Sequence, residues 1–229
     1  MHRPGYPDAA VKWALRPVRS RKVVRVLDLA AGTGRLTQAL QRTDVDVIAV
    51  EPDPQMRAEM LRRVSGVAVL AGSGEAIPLP DERVDAVLVG QALHWFDQGR
   101  ALPEIARVLK PGGVFAALWN SDDHRAEWVV EYSRLSGFPP DDKAPARPPI
   151  AEHEAFEPIR WETFANSHRR TVDSLLATVG TYSATLLMEP HERAEKLRRL
   201  REYLQSRPET AGGEFDLPMI TSVARTIRR

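Results

Sequence analysis

The residues with the clearest chemical potential lie in one short segment, residues 28–34 (DLAAGTG), which follows a run of β-branched residues. Gly32 and Gly34 permit a tight turn and let a ligand approach the backbone closely. Asp28 places a carboxylate at the end of the preceding strand, where it can meet a ligand ammonium or orient the loop. A helix after the turn would present free N–H groups at its first residues. The segment predicts a ligand-binding strand–turn–helix, although an ordinary connection of this kind can have the same sequence.

A second carboxylate, Glu51, follows the next predicted strand, residues 46–50. An acidic residue in this place can accept hydrogen bonds from both hydroxyls of a ribose. The carboxyl ends of neighbouring parallel strands meet at one edge of a sheet, where ligands of open α/β sheets bind. Asp53 has a different expected role, because an aspartate before Pro54 is a good helix cap. The glycine turn and Glu51 together predict a cofactor that contains a nucleoside.

An alternation of strands and helices is expected to position these residues. Strands are predicted at 23–29, 46–50, 67–71, 84–89 and 114–119, and helices directly after the glycine turn, at 54–64 and at 100–109, with KPGG (110–113) as the stop. This order predicts βαβ units, a parallel sheet and helices on both faces.

Beyond Asn120 the pattern changes. The sequence predicts a helix at 126–135, a proline-rich loop at 138–149, a strand at 161–169, helices at 171–188 and 190–206, and a last strand at 216–226. No internal repeat or separate linker interrupts the chain. We therefore predict a single domain over 1–229, with a cofactor-binding core (1–119), a substrate-side insert (120–190) and a closing helix and last strand (191–229).

The composition excludes several classes of function. The 229 residues include no cysteine, which rules out disulfide scaffolds, cysteine-ligated metal sites and cysteine nucleophiles. The 32 basic and 31 acidic residues give a net charge of +1, which provides no field for nucleic acid or an anionic membrane. No apolar run approaches the roughly 20 residues of a membrane helix, and no signal peptide is recognisable. We expect a cytoplasmic protein without a metal.

The motifs, in this order, resemble those of the class I S-adenosylmethionine-dependent methyltransferases. The resemblance is to the small-molecule branch (methyltransferase type 11), similar to the ubiquinone-biosynthesis and trans-aconitate enzymes. The matching segments are 3–7 (RPGYP, the lid segment), 28–34 (the first motif), Glu51 (the ribose-binding acid), 72–80 (the adenine-lining segment), 84–96 (the fourth strand and its substrate-side turn) and 109–113 (LKPGG). The resemblance covers residues 1–119 and weakens beyond them.

This resemblance implies S-adenosylmethionine as the cofactor. It also implies an α/β, Rossmann-like, doubly wound and mainly parallel sheet of about seven strands, with helices on both faces and a small C-terminal helical substrate cover. The implied cofactor-binding residues are Asp28, Ala30, Gly32, Gly34, Glu51, Pro52, Ser73, Gly74, Glu75 and Gln91. Ala30 stands where many members have glycine. Ser73 and Gly74 stand where many have an aspartate facing the adenine, and Glu75 is a candidate replacement for that aspartate.

Methyl transfer from a sulfonium is an in-line displacement, for which the protein mainly supplies orientation and exclusion of water. A base is needed only when the acceptor must first lose a proton. His94 is the candidate base, with a packed structural histidine as the alternative reading. Tyr6, Trp95 and Trp119 are expected to line the substrate pocket, and Tyr182 is a further candidate; ordinary packing is the alternative for each.

The acceptor is expected to be a small molecule rather than nucleic acid. The Asn/Asp-Pro-Pro-Tyr/Phe signature of enzymes that methylate exocyclic or amide nitrogens is absent, because the fourth strand runs into Gly90 and Gln91. An NAD-dependent oxidoreductase is a second hypothesis, disfavoured because GTGRLT lacks a third glycine and the chain has no Tyr-x-x-x-Lys pair. A cofactor-binding protein without turnover is the third. The sequence does not determine the oligomeric state.

Overall fold

The computed structural model describes residues 4–138 and 150–229, so most of the predicted proline-rich loop lies outside the described residues. Seven strands form one sheet in the order β3-β2-β1-β4-β5-β7-β6. The strands are β1 (Arg25–Leu29), β2 (Asp46–Val50), β3 (Ala68–Leu70), β4 (Val84–Gly90), β5 (Leu109–Asp122), β6 (Arg160–Thr171) and β7 (Glu214–Ile227). The helices are α1 (Asp8–Leu15), α2 (Arg35–Gln41), α3 (Pro54–Arg63), α4 (Gln98–Val108), α5 (Glu127–Ser136), α6 (Val172–Gly180), α7 (Ser183–Leu186) and α8 (Pro190–Ser206).

The sheet is doubly wound, as predicted. β1 pairs in parallel with both β2 and β4, and the pairs β2–β3 and β4–β5 are also parallel. The chain therefore moves from β1 to β3 in one direction and then returns to continue beyond β4 in the other. The strand order reverses between β1 and β4, which is the topological switch point where open α/β sheets bind ligands.

Alternating side chains of the central strands pack into two separate hydrophobic clusters. Val26 of β1 packs in the same cluster as Val11 of α1 and Leu40 of α2. Leu27, the next residue, packs in a second cluster that includes Ile105 of α4. Because successive side chains of a strand point to opposite faces, these clusters place helices on both faces of the sheet.

Two elements differ from the sequence prediction near the sheet. Helix α1 is not predicted, because it is short and precedes the first strand signal; it buries Ala10, Val11, Ala14 and Leu15. The fifth strand begins at Leu109 rather than at residue 114, because residues 110–113 form a bulge between the pairs Val84–Leu109 and Ala86–Val114. The buried Asp85 lies opposite this bulge and accepts hydrogen bonds from Lys110 at 3.0 Å and Arg21 at 2.5 Å.

The described chain divides into two compact units. One comprises residues 5–120, 150–164 and 221–229, and the other comprises Pro4, 121–138 and 165–220. In the second unit the predicted helix over 171–188 is wrong as one element, because it is interrupted between α6 and α7. The single-domain assignment stays a prediction. Among the described residues, no helix is long and apolar enough to cross a membrane.

Candidate functional site

The turn after β1 contains three residues with left-handed backbone. Ala30, Gly32 and Gly34 have φ values of 56°, 57° and 85°. Glycine adopts such angles without strain, whereas a residue with a Cβ costs of order 1–3 kcal/mol there. Ala30 is therefore strained where glycine would not be. Backbone strain of this kind is concentrated at functional sites, which agrees with the position of the turn at the switch point.

Glu51, directly after β2, holds this turn in place. Its Oε2 accepts a hydrogen bond from the Gly32 backbone at 2.8 Å, and its Oε1 accepts one from the Asp53 backbone at 2.9 Å. Glu51 as a whole residue is 5% exposed. An ionised carboxylate has about four lone-pair positions, so roughly two remain for further donors. Pro52 is exposed, and its carbonyl oxygen accepts a hydrogen bond from Arg57 at 2.6 Å.

Helix α3 begins as predicted. The Asp53 side chain caps it by accepting hydrogen bonds from the backbones of Gln55 at 2.7 Å and Met56 at 3.0 Å, with Pro54 as the first helical residue. Met56 is 45% exposed, and its Sδ lies 3.9 Å from the place that a Cβ on Gly32 would occupy. Sequence reasoning does not single out Met56, although the cap places it in the first turn after Glu51.

Asp28 has one satisfied and one unsatisfied oxygen. It is fully buried, and its Oδ2 accepts a hydrogen bond from the Thr37 hydroxyl of α2 at 2.5 Å. Its Oδ1 has no partner in the described part of the chain. Burial raises the pKa of Asp28 to about 7; the Thr37 hydrogen bonds oppose this rise, and the negative charge of Glu51 adds to it. A ligand ammonium would complete this carboxylate, because buried polar atoms are rarely left unpaired.

A second strained position lies at the end of β4. Gln91 has a φ of 59°, and its backbone donates to the Leu118 carbonyl oxygen at 2.9 Å. Its Nε2 donates to the Asn120 carbonyl oxygen on β5, also at 2.9 Å. Ala30 and Gln91 therefore bring left-handed, non-glycine residues to the ends of two adjacent strands. This is the arrangement expected at a binding site between them.

Asn120 connects β5 with the N-terminal segment. Its Nδ2 donates to the Gly5 carbonyl oxygen at 3.1 Å, and its Oδ1 accepts from the Thr221 hydroxyl at 2.5 Å. Asn120 is absent from the predicted site residues. The available signal was the one that identifies Glu51, a polar residue directly after an apolar strand.

Tyr6 packs in the core on the α1 face of the sheet and is 5% exposed. A Cβ on Gly90 would lie 2.5 Å from its hydroxyl oxygen, so the absence of a side chain at Gly90 creates the space for Tyr6. The Tyr6 carbonyl oxygen also accepts a hydrogen bond from Arg42 at 2.9 Å. The structure thus places Tyr6 against Gly90 at the end of β4.

The predicted adenine-lining segment after β3 (residues 72–80) contains a small closed turn. Ser73 and Ala76 form an isolated antiparallel bridge around Gly74 and Glu75. The Phe96 ring packs on Gly74, where an added Cβ would lie 2.8 Å from the ring. Glu75 accepts a hydrogen bond from the Asp97 backbone at 3.0 Å, so one of its oxygens already joins the turn to the segment after β4.

The aromatic candidates after β4 and β5 lie in different environments. His94 and Trp95 belong to a 3-10 helix, Leu93–Trp95; both are exposed, Trp95 by 80%, and their ring centroids are 4.8 Å apart. His94 is thus exposed rather than buried in the core, and its role as a base stays a prediction. Trp119 is half-buried against the core on the α4 face. Tyr182 belongs to the other unit, where its ring contacts Phe138.

Comparison with known proteins adds independent information. The methyltransferase domain family matches residues 27–117. An uncharacterized methyltransferase of Mycobacterium tuberculosis is 38% identical over 224 residues, which cover 97% of this chain and 89% of the relative. A solved structure from Anaeromyxobacter dehalogenans, described as a type II methyltransferase, is 26% identical with a TM-score of 0.73 and covers 100% of this chain and 98% of its own.

The fold also recurs in a Haemonchus contortus phosphoethanolamine N-methyltransferase solved with phosphomonomethylethanolamine and S-adenosylhomocysteine. That structure is 18% identical with a TM-score of 0.54, and the match covers 98% of this chain and 53% of its own. The Mycobacterium relative carries the family assignment, because its similarity extends over nearly the whole chain. The sequence motifs, the doubly wound sheet and these matches agree: the chain belongs to the class I S-adenosylmethionine-dependent methyltransferases.

Proposed function

We propose that the chain methylates a small molecule and that the carboxyl edge of β1, β2 and β4 holds S-adenosylmethionine. The observation that carries this placement is the buried Asp28 Oδ1, which lacks a partner in the described structure. The methionine ammonium of the cofactor is a cationic donor suited to this oxygen. Asp28 would bind the ammonium while Thr37 keeps the other carboxylate oxygen in position.

The ribose is assigned to Glu51. Its two oxygens already accept hydrogen bonds from the backbone N–H groups of Gly32 and Asp53. The remaining lone pairs can accept hydrogen bonds from the two ribose hydroxyls. The turn formed by Ala30, Gly32 and Gly34, followed along the sheet edge by Pro52, would allow the cofactor to approach the backbone. Among the described residues, a Cβ on Gly32 would meet only Met56 Sδ within 4 Å, so the described structure leaves space beside this glycine.

The two ends of the cofactor are assigned to the segments after β3 and β4. Ser73, Gly74 and Glu75 are proposed for the adenine, with the Ser73 hydroxyl able to donate or accept one hydrogen bond. One oxygen of the Glu75 carboxylate already accepts a hydrogen bond from the Asp97 backbone, so the other oxygen is the one proposed to meet the adenine. Gln91 is proposed for the methionine part; its Nε2 is held by Asn120, which leaves Oε1 as an acceptor.

When bound, S-adenosylmethionine supplies an electrophilic methyl group on a sulfonium. The chain's own residues align the acceptor with that group and exclude water. Tyr6, Trp95 and Trp119 are proposed to border the acceptor. His94 is proposed to remove a proton from acceptors that must lose one, since its exposed ring lies in the turn after β4.

The near-neutral charge of the chain supports a small acceptor. Proteins that bind nucleic acid obtain most of their non-specific affinity from an excess of basic residues. Here 32 basic residues face 31 acidic ones. The signature of exocyclic and amide nitrogen methylation is also absent after β4, where Gly90 and Gln91 occur instead.

Calorimetry with S-adenosylmethionine and S-adenosylhomocysteine tests the cofactor assignment. Gly32→Val should weaken binding by at least about tenfold, because the added side chain fills the space beside the turn. Gly66→Val is the matched control: Gly66 also has a left-handed φ, of 74°, and open surroundings, but lies outside the proposed site. Equal affinities of the two variants would refute the assignment.

A turnover assay tests the second half of the proposal. Formation of S-adenosylhomocysteine is measured with panels of carboxylic acids, amines and phenols, each with and without the enzyme. Product formation with one class identifies the acceptor chemistry. Cofactor binding without turnover on any panel would instead support a binding protein that lacks activity.

A further inference from the structure

A small cavity in the unit that contains β1–β4 brings three arginines together. The cavity has a volume of about 200 Å³, and it is lined by Arg16, Pro17, Glu157, Pro158, Arg160, Arg225, Thr226 and Ile227. Arg16 follows α1, Arg160 begins β6 and Arg225 lies near the end of β7. Three distant parts of the chain therefore contribute an arginine to one cavity whose lining includes a single acidic residue, Glu157.

Arg225 is fixed at this place by a tryptophan. Its side chain lies over the Trp13 ring, 3.8 Å from the ring centroid, and also donates a hydrogen bond to the Trp13 carbonyl oxygen. The residue is only 5% exposed. Burial lowers the pKa of Arg225, and the positive charges of Arg16 and Arg160 lower it further. A buried cation beside two like charges costs free energy unless an anion accompanies it.

Among the described residues, the three arginines lack the carboxylate partners that neighbouring arginines have. Arg228, just beyond β7, pairs with Glu82, and Arg21 pairs with Asp85. Within residues 4–138 and 150–229, Arg16, Arg160 and Arg225 form no such ion pair, and Glu157 forms none either. Three arginines and one glutamate line the cavity, so its lining keeps a net positive charge within the described protein.

We propose that this cavity binds one phosphoryl group of a dissolved small molecule. Guanidinium groups offer paired N–H donors that match phosphate oxygens, and a phosphate with about −1.5 to −2 charge would offset the mutual repulsion of the arginines. The volume is below the roughly 300–1,000 Å³ of drug-sized sites, so the cavity suits an anion or the anionic end of a ligand. It is a site separate from the cofactor residues, none of which line it.

Titration calorimetry with inorganic phosphate, in buffers of matched ionic strength, tests the proposal on the full chain. We expect one phosphate per chain, and at least about tenfold weaker binding by the double variant Arg16→Gln, Arg160→Gln. Both arginines are exposed, so the variant should fold normally, which thermal unfolding and cofactor binding verify. Arg83→Gln removes an exposed arginine outside the cavity and should leave phosphate affinity unchanged.

Two results would overturn the proposal. The first is phosphate binding that is absent, or that is unchanged by the double variant, because the arginines would then not form the site. The second comes from co-sedimentation with phosphatidic acid vesicles, which separates a lipid headgroup from a dissolved ligand. Retention on vesicles without binding of free phosphate would exclude a dissolved phosphoryl ligand.

Discussion

The Oε2 atom of Glu51 accepts the backbone hydrogen of Gly32 at 2.8 Å, so the acidic residue after β2 also fixes the turn after β1. The other oxygen, Oε1, accepts the backbone hydrogen of Asp53, which caps α3. One carboxylate therefore joins two loops of the protein and is proposed to bind the ribose as well. Changes at Glu51 should affect ligand affinity through both the direct contact and the shape of the turn.

Glu51→Gln should weaken S-adenosylmethionine binding by about tenfold to hundredfold. The substitution replaces an accepting oxygen with a donating amide, and hydrogen bonds to a charged group contribute about 1.5–3 kcal/mol each. Calorimetry measures the change. Glu59→Gln is the control, because Glu59 lies on α3 in exposed ion pairs with Arg62 and Arg63. If Glu51→Gln binds S-adenosylmethionine with the wild-type affinity, Glu51 is not part of the binding site.

The protonation of Asp28 should influence stability in a defined direction. Burial raises the pKa of Asp28 from its ordinary 3.8 to about 7 in the folded chain. The folded state therefore keeps a proton that the unfolded state releases, and the contribution of this group to stability is lost as pH rises from about 4 toward 7. Asp28→Asn stays neutral. Urea unfolding at several pH values should show its stability rising relative to wild type between pH 5 and 7, and a constant difference would contradict the assignment.

Cofactor binding should depend on pH in the opposite way, because the ionised form of Asp28 attracts the methionine ammonium. Wild-type affinity should rise about tenfold between pH 6 and 8, across the raised pKa of about 7. Asp28→Asn should bind S-adenosylmethionine more weakly and with little dependence on pH over this range. Calorimetry in buffers of matched ionic strength provides the comparison. Parallel pH profiles for the two proteins would show that another group controls binding.

The carboxyl edge of the sheet is predictable from the sequence, because an apolar strand pattern and an acidic residue occur together there. Asp28 and Glu51 each lie at the end of a short apolar run, and Asp53 precedes Pro54. The structure places these residues at the ends of β1 and β2 and at the cap of α3. Local sequence is sufficient in these cases, because neighbouring residues determine each feature.

Features that depend on distant residues are not predictable in this way. The Asn120 side chain meets the Gly5 carbonyl 115 residues earlier, and no local pattern indicates that contact. The bulge at 110–113 lies opposite the buried Asp85, which a reading of KPGG as a helix stop cannot reveal. The break after α6 follows Gly180, and an isolated glycine in a helical pattern is compatible with either continuation or termination.

Asn120→Ala should loosen the N-terminal segment. The change removes the hydrogen bonds to Gly5 and Thr221 but keeps the carbonyl oxygen that holds Gln91. We expect the lost hydrogen bonds to reduce the free energy of cofactor binding by about 1 kcal/mol, which corresponds to about fivefold weaker binding. The backbone of residues 5–10 should also exchange its amide hydrogens faster. Gln41→Ala, which removes the bond to the Ser65 carbonyl oxygen, is the control. Unchanged exchange in Asn120→Ala would show that other contacts hold the segment.

Gly34 and Gly66 form a matched pair that separates backbone strain from packing. Both have left-handed backbone, with φ of 85° and 74°. A Cβ on Gly34 would lie 2.8 Å from Val64 Cγ2 and 3.0 Å from Met60 Cγ, whereas a Cβ on Gly66 would have no neighbour within 4 Å in the described part of the chain. Alanine at either position introduces about 1–2 kcal/mol of strain, and at Gly34 it adds about 1–3 kcal/mol of overpacking.

Urea unfolding should therefore show a loss of about 2–5 kcal/mol for Gly34→Ala. Gly66→Ala should lose no more than about 1–2 kcal/mol, partly offset by the lower entropy of its unfolded chain. Only Gly34→Ala should also weaken cofactor binding, because displacement of Met60 and Val64 shifts the start of α2 relative to α3. Equal losses of unfolding free energy in the two variants would contradict the prediction. They would mean that α3 moves away from the added methyl group without destabilising the protein.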